Sequence, residues 1–135
     1  MLQMSLKKNE KNEKKCLNKG EIIMDCIFCK IAAGDIPAKK AYEDDSVVAF
    51  YDLEPQAPVH ILIIPKQHIS SCAEITEENS AVVAHIFEVA AKLGKELGLE
   101  NGYRIVNNCG ADGGQTVHHL HFHFMGGRQF GWPAG

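Results

Sequence analysis

The sequence predicts an α+β fold, a five-stranded antiparallel sheet carrying one long and one short helix. Three observations predict it. Five short runs rich in β-branched and aromatic residues are bounded by Gly, Pro, Asn or Asp. One sustained stretch of helical apolar spacing falls between the third and fourth of these runs. The loops between neighbouring runs are too short for the crossovers that parallel strands require.

Each element follows in order. Residues 1–23 are rich in Lys, Asn and Glu and offer little to bury, so a disordered tail or a mis-assigned start upstream of Met24 is expected, with the folded domain over 24–135. Ile27–Ala33 has helix-compatible spacing and stops at Gly34. Lys40–Glu43 and Val47–Tyr51 read as strands around an Asp44-Asp45 turn, and Pro55 and Pro58 make the next segment a loop. His60–Ile64 is a third strand. Thr76 then reads as the N-cap of a long helix whose stripe is Val82, Val83, Ile86, Phe87, Val89, Ala90, Leu93 and Leu97, with Gly98 as its stop. Gly102–Asn107 and Val117–Met125 are the last two strands, flanking a glycine-rich loop over Cys109–Gln115.

Composition narrows the function classes. The chain has 135 residues, 45% hydrophobic and 23% charged, with net charge −3, which is one globular domain without the basic footprint of a nucleic-acid or membrane-surface binder. No run approaches the roughly 18 apolar residues of a transmembrane helix, and no apolar stretch follows the N-terminal lysines as in a secretory signal. Five cysteines without such a signal do not read as a disulfide framework, so a cytoplasmic location is expected.

The chemistry concentrates at Val117-His118-His119-Leu120-His121-Phe122-His123-Phe124. Four of the seven histidines fall here, and strand alternation puts His119, His121 and His123 on one face with Leu120, Phe122 and Phe124 on the other. Three alternating imidazoles suit either metal ligation or catalysis. The loop just upstream favours catalysis: Asn108, Gly110, Gly113 and Gly114 allow close backbone approach to an anionic oxygen, and Thr116 adds a hydroxyl. An imidazole face beside such a loop fits attack of a histidine nitrogen on phosphorus. Cys26-Ile-Phe-Cys29 is a second constellation, compatible by itself with zinc or redox chemistry. Its position ahead of a short helix, outside a βαβ unit, lowers the redox reading.

These residues resemble the histidine triad family. His119-Leu-His121-Phe-His123-Phe is similar to its His-x-His-x-His-x signature. Asp112-Gly-Gly-Gln-Thr116, Gly126-Gly-Arg-Gln129 and Trp132-Pro-Ala-Gly135 resemble its purine nucleoside phosphoramidase branch. Asp52-Leu-Glu-Pro-Gln-Ala-Pro-Val-His60 and Ile64-Pro-Lys-Gln-His68 fit in order and spacing, so the resemblance spans about Cys26 to Gly135.

The resemblance implies a nucleotide hydrolase that cleaves the P–N bond of purine nucleoside 5′-phosphoramidates or aminoacyl adenylates. His121 would be the nucleophile, His119 would orient it or bridge to a metal, and His123 would contact phosphate oxygens together with Asn108 and the backbone around Gly114 and Thr116. Thr116 stands where the branch usually has a serine that assists the leaving amine. Asp52 would bind ribose, and Phe28, Ile31, Phe50 and Leu53 would enclose the base. Gln115 and the tail residue Trp132 would complete the substrate site. A structural Zn2+ would sit on Cys26, Cys29, His60 and His119, with no organic cofactor. A homodimer with a sheet continued across two subunits is also implied. His68, His85 and His118 are expected to be non-catalytic, and Cys72 and Cys109 inert. Two other readings remain open at this point: dinucleoside polyphosphate hydrolysis, and a nucleotide-binding regulatory module.

Overall fold

A seven-residue helix, α1 (Ile27–Ala33), opens the part of the chain that the computed structural model describes, residues 26–135. The reading of residues 1–23 lies outside it. Seven residues are too few for a helix to persist alone. Helix α1 is capped by Cys26, whose sulfur accepts from the Cys29 N–H, and by Gly34 at φ 85°, a left-handed conformation that a glycine adopts without penalty. Phe28 and Ile31 anchor it in the core.

The sheet comprises β1 (Lys40–Glu43), β2 (Val47–Tyr51), β3 (Val59–Pro65), β4 (Tyr103–Val106) and β5 (Phe122–Gly126). Its order is β1-β2-β3-β5-β4, with every neighbouring pair antiparallel. The first turn is built by Asp44, whose Oδ1 accepts from the Ser46 and Val47 N–H groups, each at 2.9 Å.

Alternation divides the sheet into two faces with different tasks. Val47, Ala49, Ile61, Ile63, Phe122 and Phe124 face the long helix α2 (Ser80–Glu96) and pack with its Ile86, Val89, Ala90 and Leu93. Each such fully buried side chain contributes about 1.5–3 kcal/mol. The other face carries Val48, Phe50, Leu62 and Ile64, covered by Phe28 and Ile31 of α1. His123 in β5 pairs with Leu62 and so shares this second face.

Two boundaries differ from the sequence reading by more than one residue. Thr76 is not the N-cap of α2. Its Oγ1 accepts from the Glu78 N–H and its own N–H donates to Asn79 Oδ1, closing a separate turn, and the helix starts at Ser80. The last strand is shorter than Val117–Met125. The ladder begins only at Phe122, opposite Ile63, while Leu120 N–H donates to the Ile69 carbonyl in the loop after β3. Of the three triad histidines only His123 therefore lies in a strand. Leu120 is nonetheless buried in the same core as Phe122 and Phe124, so the alternation persists where the ladder does not.

Candidate active site and metal centre

The irregular segment before β5 sends neighbouring histidines to two different clusters. His119 is fully buried, and its Nε2 lies 2.9 Å from the Pro65 carbonyl. A carbonyl can only accept, so Nε2 carries the proton and Nδ1 presents a lone pair. That Nδ1 faces His68 Nδ1 at 3.2 Å, Cys26 Sγ at 3.4 Å and Cys29 Sγ at 3.6 Å, while Cys29 Sγ lies 3.3 Å from His68 Nδ1. A tetrahedron with zinc–nitrogen and zinc–sulfur bonds of roughly 2.0–2.3 Å has edges of about 3.3–3.8 Å. The donor set, its spacing and a carbonyl behind the His119 ring all fit structural Zn2+. The Cys29 thiol, and after it the His119 and His68 rings, hold the Cys26 thiol well below its ordinary range against the opposing effect of burial. A thiolate is the form that binds a metal.

This geometry corrects the expected ligand set. His68, read from sequence as structural, takes the place assigned to His60. The cysteines and His119 gather beyond the C-terminal end of β3, at Pro65, whereas His60 stands near its start. Five residues of strand separate the two ends by about 17 Å.

His60 belongs instead to a second cluster with Asp52 and His123. Its Nδ1 accepts from the Gln56 N–H at 2.9 Å, so the neutral ring carries its proton on Nε2. That Nε2–H meets His123 Nδ1 at 2.9 Å, with Asp52 Oδ2 at 3.4 Å. His123 Nδ1 thus accepts, and its own proton sits on Nε2. Both imidazole nitrogens that face each other are already joined by a proton, so this cluster does not suit a metal as the first one does. Burial lowers the His60 pKa against the pull of Asp52. Burial, then the His121 and His60 rings, push His123 down to about 4.

His121 lies between the clusters. Its Nδ1 is 2.7 Å from the His119 carbonyl, which fixes the proton on Nδ1 and leaves a lone pair on Nε2. Asn107 Nδ2 donates to the His121 carbonyl at 2.8 Å and holds this backbone in place. The His121 and His123 rings are 5.2 Å apart, and Phe28 stands edge-on to His121 at 5.1 Å and to His119 at 5.9 Å. Burial is the main influence lowering the His121 pKa. The result is a neutral, oriented imidazole with an unprotonated nitrogen beside a neighbour whose Nε2–H can donate.

The remaining expected residues divide. Phe28, Ile31 and Phe50 join one apolar cluster, but Leu53 is 96% exposed and stands outside it. Asp52 Oδ1 accepts from the Glu54 N–H. The Gln115 side chain turns inward. It is buried, its Oε1 accepts from the Gly110 N–H, and its Nε2 donates to the Ser70 and Val117 carbonyls, so it staples the glycine-rich loop to the chain after β3. The Gly114 and Gln115 N–H groups bond the Ala111 and Gly110 carbonyls, whereas the loop's own backbone bonds leave out the Thr116 N–H, and Thr116 is exposed. Asn108 is half-buried at the base of this loop and Trp132 is 85% exposed. His118 is exposed. His85 bonds Asp44 at 2.6 Å and Glu88 at 2.9 Å, a fold contact. The Cys72 and Cys109 thiols hydrogen-bond each other. The two residues missed by sequence reasoning are His68 and Asn107.

One antiparallel sheet with buried histidines gathered on the face opposite its long helix defines the histidine triad class. The chain belongs to the HIT domain family, whose model matches residues 33–130. It is 50% identical over 111 residues to an uncharacterized HIT-like protein of Synechococcus elongatus, covering 82% of this chain and 97% of that one. It is 46% identical to a 14 kDa zinc-binding protein of Zea mays, covering 81% and 87%. Among solved structures, a HIT family hydrolase from Legionella pneumophila aligns with a TM-score of 0.80 at 50% identity, covering 82% of this chain and 99% of that one. A histidine triad nucleotide-binding protein from Candida albicans aligns with a TM-score of 0.68 at 36% identity, covering 82% and 84%.

Proposed function

We propose that the chain hydrolyses purine nucleoside 5′-phosphoramidates or aminoacyl adenylates through a nucleotidyl intermediate on His121. The observation that carries this reading is the fixed tautomer of His121, with Nδ1–H on the His119 carbonyl and a bare Nε2 in a buried site. That nitrogen attacks the α-phosphorus, the bond from phosphorus to the leaving group breaks, and the leaving nitrogen or oxygen takes up a proton. Water then cleaves the phosphorus–histidine bond, returning neutral His121 and releasing the nucleoside monophosphate. The His123 Nε2–H and the Thr116 backbone supply hydrogen bonds to the phosphoryl oxygens as charge builds on them. Thr116 Oγ1 gives the leaving amine its proton and regains one from the water that attacks in the second step. Asp52 takes the ribose hydroxyls, and Phe28, Ile31 and Phe50 provide the apolar wall for the base. Asn108 and Trp132 border the phosphate and leaving-group ends.

Cys26, Cys29, His68 and His119 would hold a zinc ion. It would tie α1, the loop after β3 and the triad segment together, and the reaction needs no chemistry from it. Among the described residues, Cys26, Cys29, Cys72 and Cys109 are not in disulfides, which is compatible with a reducing, cytoplasmic compartment. Among the described residues no helix is long and apolar enough to cross a membrane. A homodimer would use the edge strand β4, where Tyr103 is 39% exposed.

Turnover of adenosine 5′-phosphoramidate by wild type and His121→Ala, with and without a chelator, tests the reading. Expected is wild-type activity that survives chelation and falls at least about a thousandfold in the variant. Activity retained by His121→Ala overturns the mechanism, and activity abolished by the chelator while the fold persists moves the chemistry to the metal.

A further inference from the structure

The segment after β5 touches the histidine chain from outside the pocket. Gly127 sits at φ 93°, a conformation that favours glycine, and a Cβ there would lie 2.9 Å from Pro58 Cβ. This turn presses the chain onto the loop before β3 and delivers Arg128, whose Nε donates to the Gln56 carbonyl at 3.0 Å. The N–H of the same Gln56 donates to His60 Nδ1, and His60 Nε2 meets His123 Nδ1. Gln56 is otherwise an exposed loop residue between prolines, with its side chain bonded to the Glu54 carbonyl.

Two groups set the polarity of both rings, that N–H at His60 Nδ1 and Asp52 Oδ2 at 3.4 Å from His60 Nε2, and only the first is joined to Arg128. With Gln56 donating, His60 must donate from Nε2, and His123 must carry its proton on Nε2. If the Gln56 N–H turned away, His60 could place its proton on Nδ1, and the chain could reverse. His123 would then offer a lone pair where an anionic oxygen needs a donor.

We infer that Arg128 is a positioning residue that fixes the tautomers of His60 and His123 through the Gln56 backbone. This rests on the phosphorus chemistry proposed above for its effect on rate, but the tautomers themselves do not. The guanidinium also stacks on Phe130 at 4.1 Å, with Arg104 5.1 Å from the same ring and donating to the Gly131 carbonyl at 2.9 Å. Apart from the bond of its Nη1 to the adjacent Gln129 carbonyl at 3.2 Å, Arg128 therefore has two contacts, and Phe130 variants separate them. A role limited to pinning the tail runs through Phe130, whereas the relay runs through Gln56.

The test is imidazole 15N NMR on the full chain, at a pH where His60 and His123 are neutral, for wild type, Arg128→Met, Arg128→Lys and Phe130→Leu. The same proteins are assayed with adenosine 5′-phosphoramidate. Wild type and Phe130→Leu should show both rings protonated at Nε2. Arg128→Met should show a mixture of tautomers, with kcat down about tenfold and KM changed far less. Arg128→Lys, which keeps the charge but not the planar donor, should fall between. Unchanged tautomers in Arg128→Met overturn the inference, as does an equal change in Phe130→Leu. A wild type with the expected tautomers but no turnover counts against the proposed reaction and leaves the relay standing.

Discussion

Histidine tautomers carry most of the meaning at the residue scale, and backbone groups set them. The Pro65 carbonyl accepts from His119 Nε2, which keeps the proton there and aims Nδ1 at the cysteines. The His119 carbonyl accepts from His121 Nδ1, which keeps the proton there and bares Nε2. Two histidines separated by one residue thus become a candidate metal ligand and a candidate nucleophile. The pKa directions of His60, His121 and His123 follow chiefly from burial. His60, His121 and His123 all titrate below the ordinary imidazole value, His123 at about 4, so they resist protonation that the unfolded chain accepts at about 6.5. Between these values the unfolded state binds more protons, and stability falls as pH falls. Denaturant melts at pH 7 and pH 4.5 should show a lower midpoint at the acid value, with part of the loss removed in His123→Gln. An acid loss identical in wild type and variant would contradict the assignment. His85 has the opposite sign, since Asp44 and then Glu88 raise its pKa. Its contribution is present below the unfolded value and fades as pH rises through the folded one, and an exposed pair of this kind is worth about 1 kcal/mol or less.

At the scale of elements, α1 is the piece that most needs help. Its seven residues are held by Phe28 and Ile31 in the core, and at its first turn by Cys26 and Cys29 facing the two histidines. A bound zinc would join this turn to residues 68 and 119, which no backbone ladder does. Removing zinc from protein saturated at about a hundredfold above Kd should cost about 2.7 kcal/mol. For a domain of this size that lowers Tm by roughly 10 °C or more. Differential scanning calorimetry with and without chelator measures it, and His68→Ala should abolish the difference while His60→Ala should not. A shift lost in His60→Ala and kept in His68→Ala would return the ligand to the place expected from sequence. That expectation failed for a physical reason. Which histidine meets the cysteines depends on which end of β3 the segment before β5 reaches, and the Leu120–Ile69 bond that sets this is non-local. The strand pattern alone placed His119 in a ladder it never enters.

For the whole molecule, much was legible because alternation and helical spacing leave few ways to cover this sheet. The five strands, the long helix on one face and the buried run Leu120, Phe122 and Phe124 were readable from spacing. The inward turn of Gln115 was not, because a glutamine beside glycines looks the same from sequence whether it faces a ligand or a loop carbonyl. The sheet thereby separates stability from chemistry: α2 and its apolar partners fill one face, leaving the other to α1, the imidazoles and the loop stapled by Gln115. The central claim is that His121 Nε2 bonds phosphorus on this second face. The most direct measurement is alkaline rapid-quench mass spectrometry of wild-type protein mixed with adenosine 5′-phosphoramidate, mapping any nucleotidyl adduct to its residue. One adduct is expected, on His121, that forms and decays at rates compatible with turnover and is missing in His121→Ala. An adduct on another residue, or turnover with none at single-turnover times, would contradict it.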